Sequence, residues 1–180
     1  MKNLLSLFTV ALLCAFSFAA LAQAPSSNYT EQGGLNTVIG GTLTVTGSVV
    51  AAYEDLTAAS TLDSTDCGST KFLNAATEFA TTLPSPTAGC AITFIVKAAP
   101  ASASYTVVTA SSANILIGGI NELEVDTGDD GPYDADGDTI TFVDGVAVVG
   151  DFVTLRSDGT SWYLHGQANA DGGVTVTKAS

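Results

Sequence analysis

Eight carboxylates fall between positions 122 and 138: Glu122, Glu124, Asp126, Asp129, Asp130, Asp134, Asp136 and Asp138, with Gly128, Gly131 and Gly137 among them. Hard cations take several oxygen ligands, and glycines let a chain wrap around them. Asp126, Asp129, Asp130, Asp134, Asp136 and Asp138 therefore form a candidate calcium loop. The spacing is not that of an EF-hand. Counted from Asp126, Gly131 falls at position six, but Gly128 takes position three and Gly137 takes position twelve, where a bidentate Glu belongs. The alternative is a solvated, self-repelling surface loop. Cys67 and Cys90 are the next candidates. An even pair in an exported chain reads as a disulfide. Closing about 24 residues is worth roughly 3 kcal/mol in the chain-entropy account. A metal or redox pair would need a C-x-x-C spacing or a histidine nearby, and the sequence supplies neither.

Catalytic chemistry has little to stand on. The chain holds one histidine, His165, with Trp162 and Tyr163 just before it. It has no G-x-S-x-G elbow. Its paired carboxylates lie in a glycine-rich loop, where nothing apolar would raise one of them for acid work. The chain reads as non-catalytic. Trp162, Tyr163, Tyr105, Tyr133 and Phe152 could make an aromatic face for a surface glycan, but aromatics on strands are more often core or cross-strand pairs.

Export follows from the N-terminus. Lys2 precedes an apolar run from Leu4 to Leu21, and Ala20-Leu21-Ala22 offers a small-x-small cleavage pattern. Residues 1–22 are read as a signal peptide, giving a secreted or cell-surface protein with no membrane span after cleavage. Beyond it, Lys71, Lys97, Arg156 and Lys178 face all 18 acids, and the whole chain carries a net charge of −13. Such a surface repels nucleic-acid phosphates and anionic membranes.

The elements that must position these residues read as strands. Short alternating bursts of Thr, Val and Ile are separated by Gly, Pro and Asp. Strands are expected at 71–74, 78–83, 91–96, 104–109, 114–117, 122–125, 139–143, 147–149 and 173–177. A hairpin is expected over 152–164, with Asp158-Gly159 as a type I′ turn. Residues 51–59 are read as one helical turn or an extended connector. Three divisions follow: the signal peptide, an extended arm at 23–62 and a β module at 63–180. Within the arm, Asn36 to Ala52 holds too little large apolar surface to fold alone. Val38, Ile39, Leu43, Val45 and Val49 are the residues expected to pair between subunits.

Two stretches carry a family resemblance: KFLNAATEFATTLPSPTAGCAITFIV, from Lys71 to Val96, and DTITFVDGVAVVGDFVTLRSDGTSWYLHGQANADGG, from Asp138 to Gly173. Together they resemble a β-rich module of phage and marine-virus structural proteins, the tail-fibre-like and virion-surface chains. NTVIGGTLTVTGSV resembles the β-stem segments that trimerise in such fibres. The chain departs from the pattern in its leader and its cysteine pair. The fold expected is all-β, an antiparallel sandwich or jelly-roll-like module behind a short extended N-terminal β arm. The function the resemblance implies is a non-catalytic structural subunit of an extracellular or virion-like assembly, self-associating as a trimer or filament. The alternative is a calcium-dependent adhesin or carbohydrate-binding module.

Overall fold

The computed structural model describes residues 51–75, 77, 79–123 and 137–179, together with the backbone of 29–30 and 37–38. Two compact units divide the chain, Met1–Val49 and Val50–Ser180. In the first, β1 (Tyr29–Thr30) pairs antiparallel with β2 (Thr37–Val38). In the second the strands are β3 (Tyr53–Leu56), β4 (Ser60–Thr61), β5 (Ser69–Leu73), β6 (Phe79–Thr82), β7 (Ala91–Val96), β8 (Tyr105–Val108), β9 (Leu116–Glu122), β10 (Thr139–Phe142), β11 (Phe152–Ser157), β12 (Trp162–Ala168) and β13 (Val174–Thr177).

They form two sheets. One has six strands in the order β3-β5-β7-β11-β12-β9, the other five in the order β13-β10-β8-β6-β4. Alternation explains the layers. Successive strand residues point to opposite faces, so in β7 Ile92, Phe94 and Val96 are buried while Ala91, Thr93 and Ile95 are half-exposed. The inward sets of both sheets share one core, in which Phe94, Tyr105, Phe142 and Trp162 are fully buried.

The all-β expectation holds, but the sheets are mixed rather than antiparallel. From β3 to β8 each strand lies in the opposite sheet from the one before it. A strand in one sheet is thus followed by a crossing through the other, and the chain returns in its original direction. The result is parallel pairing of β3 with β5, β5 with β7, β4 with β6 and β6 with β8. Three double strands stack as rungs. Antiparallel pairing begins where β10 joins β8 and β11 joins β7. β9 then lies parallel to β12, closely enough that a Cβ on Gly118, whose φ is +134°, would sit 2.0 Å from the Leu164 carbonyl oxygen.

Four local expectations are corrected. Residues 53–56, read as a turn or connector, form the edge strand β3. The segment expected at 114–117 starts at Leu116 and runs on to Glu122 as one strand, β9, while residues 124–125 of the strand expected at 122–125 lie outside the described residues. Residues 147–149 are not a strand, because the buried Asp151 carboxylate accepts the Val148 N–H at 2.9 Å and curls the chain there. The hairpin is real, but its register pairs Ser157 with Trp162 and leaves a four-residue loop, not a two-residue one. Asp158 closes that loop by accepting the Thr160 and Ser161 N–H groups, each at 2.8 Å, the Asx-turn habit of aspartate.

Candidate functional site

The cysteines pair as expected. Cys67 and Cys90 form a disulfide with Cα atoms 4.9 Å apart. It joins the chain just before β5 to the chain just before β7, so it staples two neighbouring parallel strands. Of the expected calcium loop, only Asp138 lies among the described residues. It is buried, at 6 % exposure, and its backbone bonds Thr109 and Thr177. Asp126, Asp129, Asp130, Asp134 and Asp136 lie outside the described residues, as do Ile39, Leu43, Val45 and Val49 of the expected pairing set. For Val38 only the backbone, in β2, is described. No group of three or more metal-ligating side chains occurs among the described residues.

The candidate aromatic face is not assembled among the described residues, and the alternative, core or cross-strand pairs, holds for Trp162 and Tyr105. Trp162 and Tyr105 turn inward and are fully buried. The Tyr105 hydroxyl donates to the Ala98 carbonyl at 2.8 Å and accepts the Ala75 N–H at 3.0 Å, which makes it a core fastener. Tyr133 lies outside the described residues. Tyr163 and Phe152 face outward, and the Tyr163 hydroxyl donates to Asp158 at 3.2 Å. That bond raises the tyrosine above its ordinary pKa. The Ser161 and Thr160 N–H groups hold Asp158 below the usual carboxylate value. His165 is exposed on β12, opposite Thr154 and Gly119.

A cluster that sequence reasoning missed sits at β3. Lys71 points into the sandwich with its side chain 3 % exposed. Its ammonium bonds Asp66 and, at 2.7 Å, Glu54 of β3. Burial alone would lower the lysine pKa, but the two carboxylates outweigh it and hold Lys71 above its ordinary value. On the opposite face of the sheet, Lys97 bonds Asp55 of β3. That bond holds Asp55 below the usual carboxylate range. Two of the five cations in the chain are thus committed to the two carboxylates of one edge strand. The signal was faint, because Lys71 and Lys97 come 17 and 42 residues after their partners on β3, and the parallel pairing is what brings them together.

The outer faces differ in chemistry. Across the six-stranded sheet the registers align Tyr53, Thr70, Thr93, Thr154 and His165 in one row, and Asp55, Phe72, Ile95, Phe152 and Gln167 in the next. Tyr53 packs edge-on to Phe72 with ring centroids 6.2 Å apart. Across the five-stranded sheet one row reads Thr61, Thr82, Val108, Thr139, Thr177, and the other Ala80, Thr106, Thr141, Thr175. Seven of these nine outward positions are threonine and none is charged.

Comparison with known proteins finds no matching family, no matching curated protein and no matching solved structure.

Proposed function

We propose that this chain is an exported, non-catalytic structural subunit that self-associates head to tail by strand addition at the ends of its sheets. One observation carries the reading. Among the described residues, β3 and β4 close the same end of the two sheets and are each paired on one side only. The Ala52 and Leu56 carbonyls accept bonds from β5 residues or their neighbour Asn74. By strand alternation the backbone groups of Tyr53 and Asp55 therefore point away from the sheet. Edges of this kind accept another strand through main-chain hydrogen bonds. Proteins usually guard them with charge, but both carboxylates of β3 are ion-paired, Asp55 with Lys97 and Glu54 with Lys71, which Glu54 shares with Asp66. At the far end the sheets finish in β9 and β13. Joining unlike ends gives a heterologous contact, which generates rings or open filaments. The disulfide fits the oxidising compartment that export implies.

The test is Tyr53→Pro. Proline removes an N–H that has no partner within the sheet, and edge strands tolerate it. Tyr53 is 70 % exposed, so the fold keeps its core. Light scattering should show an assembled wild type and a monomeric, folded variant. A variant that assembles as the wild type does removes the edge from the account.

A further inference from the structure

We propose that the outer face of the five-stranded sheet binds ice. The rows Thr61-Thr82-Val108-Thr139-Thr177 and Ala80-Thr106-Thr141-Thr175 lie side by side, the first across all five strands and the second across four. Strand geometry repeats them at roughly 4.7–4.9 Å across the sheet and about 6.7 Å along it. Each threonine presents one methyl and one hydroxyl, and its β-branched side chain is stiff at χ1. The array is held from beneath by the fully buried side chains of Tyr105, Val107, Ile140 and Phe142, which alternate with it on the same strands. Among the described residues none of the seven hydroxyls makes a hydrogen bond to protein. On the other sheet the hydroxyls of Thr93 and Thr154 bond each other at 3.2 Å.

The chemistry of the face selects its occupant. A chain of net charge −13 leaves all nine positions free of charge, so neither an ion nor a charged polymer is complemented there. Sugar platforms and protein hot spots are built on aromatic rings or arginine, and the face has none. A second copy of the chain needs about 800 Å² from each partner, whereas four strand spacings by about 10 Å give on the order of 200–300 Å². An ice surface is uncharged, periodic on the scale of a few ångströms, and offers both donors and acceptors to each hydroxyl. A preorganised array loses little freedom in meeting it.

The face uses outward side chains and assembly uses edge backbone groups; β4 and β13 carry both, but Thr106 and Thr141 lie on interior strands β8 and β10, so their variants test the face without touching an edge. Single ice crystals held just below melting in the purified protein should grow faceted, with a measurable gap between melting and freezing temperatures. Thr141→Lys, at the middle of the face, should lose most of that gap while melting as the wild type does. Thr70→Lys, on the outer face of the other sheet, should keep it. If Thr141→Lys does not refold, Thr106→Tyr, one strand over and compatible with a strand, is read in its place. Round, unshaped crystals in the wild-type protein overturn the proposal. So does a folded Thr141 or Thr106 variant that still facets them, or an equal loss in Thr70→Lys.

Discussion

Replacing Lys71 separates two contributions that the buried lysine makes at once. Its side chain is 3 % exposed, whereas Glu54 and Asp66 are 54 % and 22 % exposed. Lys71→Ala removes the methylenes beyond Cβ from the interior. At about 0.8 kcal/mol for each buried methylene, with a further cost for the space left behind, the loss should be roughly 2–4 kcal/mol. Lys71→Met keeps the stem and discards only the ammonium. Removing one partner of a buried ion pair is costly when it strands a buried charge, but Glu54 and Asp66 are both partly exposed and can be solvated by water instead. The Met variant should therefore lie within about 1 kcal/mol of the wild type. Urea unfolding followed by the single buried tryptophan, Trp162, reads both. Equal losses in Met and Ala would refute the reasoning and make the charge itself the anchor of β3. The pH dependence follows in sign. The folded-state value of Lys71 is raised, so its electrostatic contribution is complete below the unfolded value of about 10.4. It fades as pH rises through the higher folded value. The Met variant should lack that alkaline loss.

Three further substitutions probe the fold. Gly118→Ala places a Cβ 2.0 Å from the Leu164 carbonyl oxygen at a φ of +134°; it should cost about 3 kcal/mol or more and abolish amide protection along β9 in hydrogen exchange. Thr81 Oγ1 is buried with no partner, so Thr81→Val should be neutral or stabilise by about 1 kcal/mol, seen as a raised urea midpoint. The double change Cys67→Ser with Cys90→Ser should lose about 3 kcal/mol; the wild type under a reducing agent should fall by the same amount, and a mismatch between the two would show that serine, not the lost link, is responsible.

Much of the fold was legible because alternation is a local property. The runs at 91–96 and 152–157 become β7 and β11, each alternating between buried and half-exposed or exposed positions, and Trp162 and Leu164 share the buried face of β12. Pairing direction was not legible, since an alternating strand looks the same beside a parallel or an antiparallel neighbour. The absence of two-residue turn signals between residues 53 and 108 was the available clue to a chain that crosses between sheets. β3 was missed because YEDL carries two charges, which propensity assigns to a surface turn, and its lysine partners become neighbours only in the folded register. The threonine face was visible in part, as T-x-T at 139–141 and 175–177. Its breadth depended on the strand order. The disulfide came from counting cysteines.

The mass of the assembled protein tests the central claim most directly. Multi-angle light scattering across a concentration series should give the wild type a mass of several chains, rising with concentration as an open head-to-tail contact requires. Tyr53→Pro should give the mass of a single chain with an unchanged melting temperature. A wild type that keeps the mass of a single chain at every concentration would contradict the account.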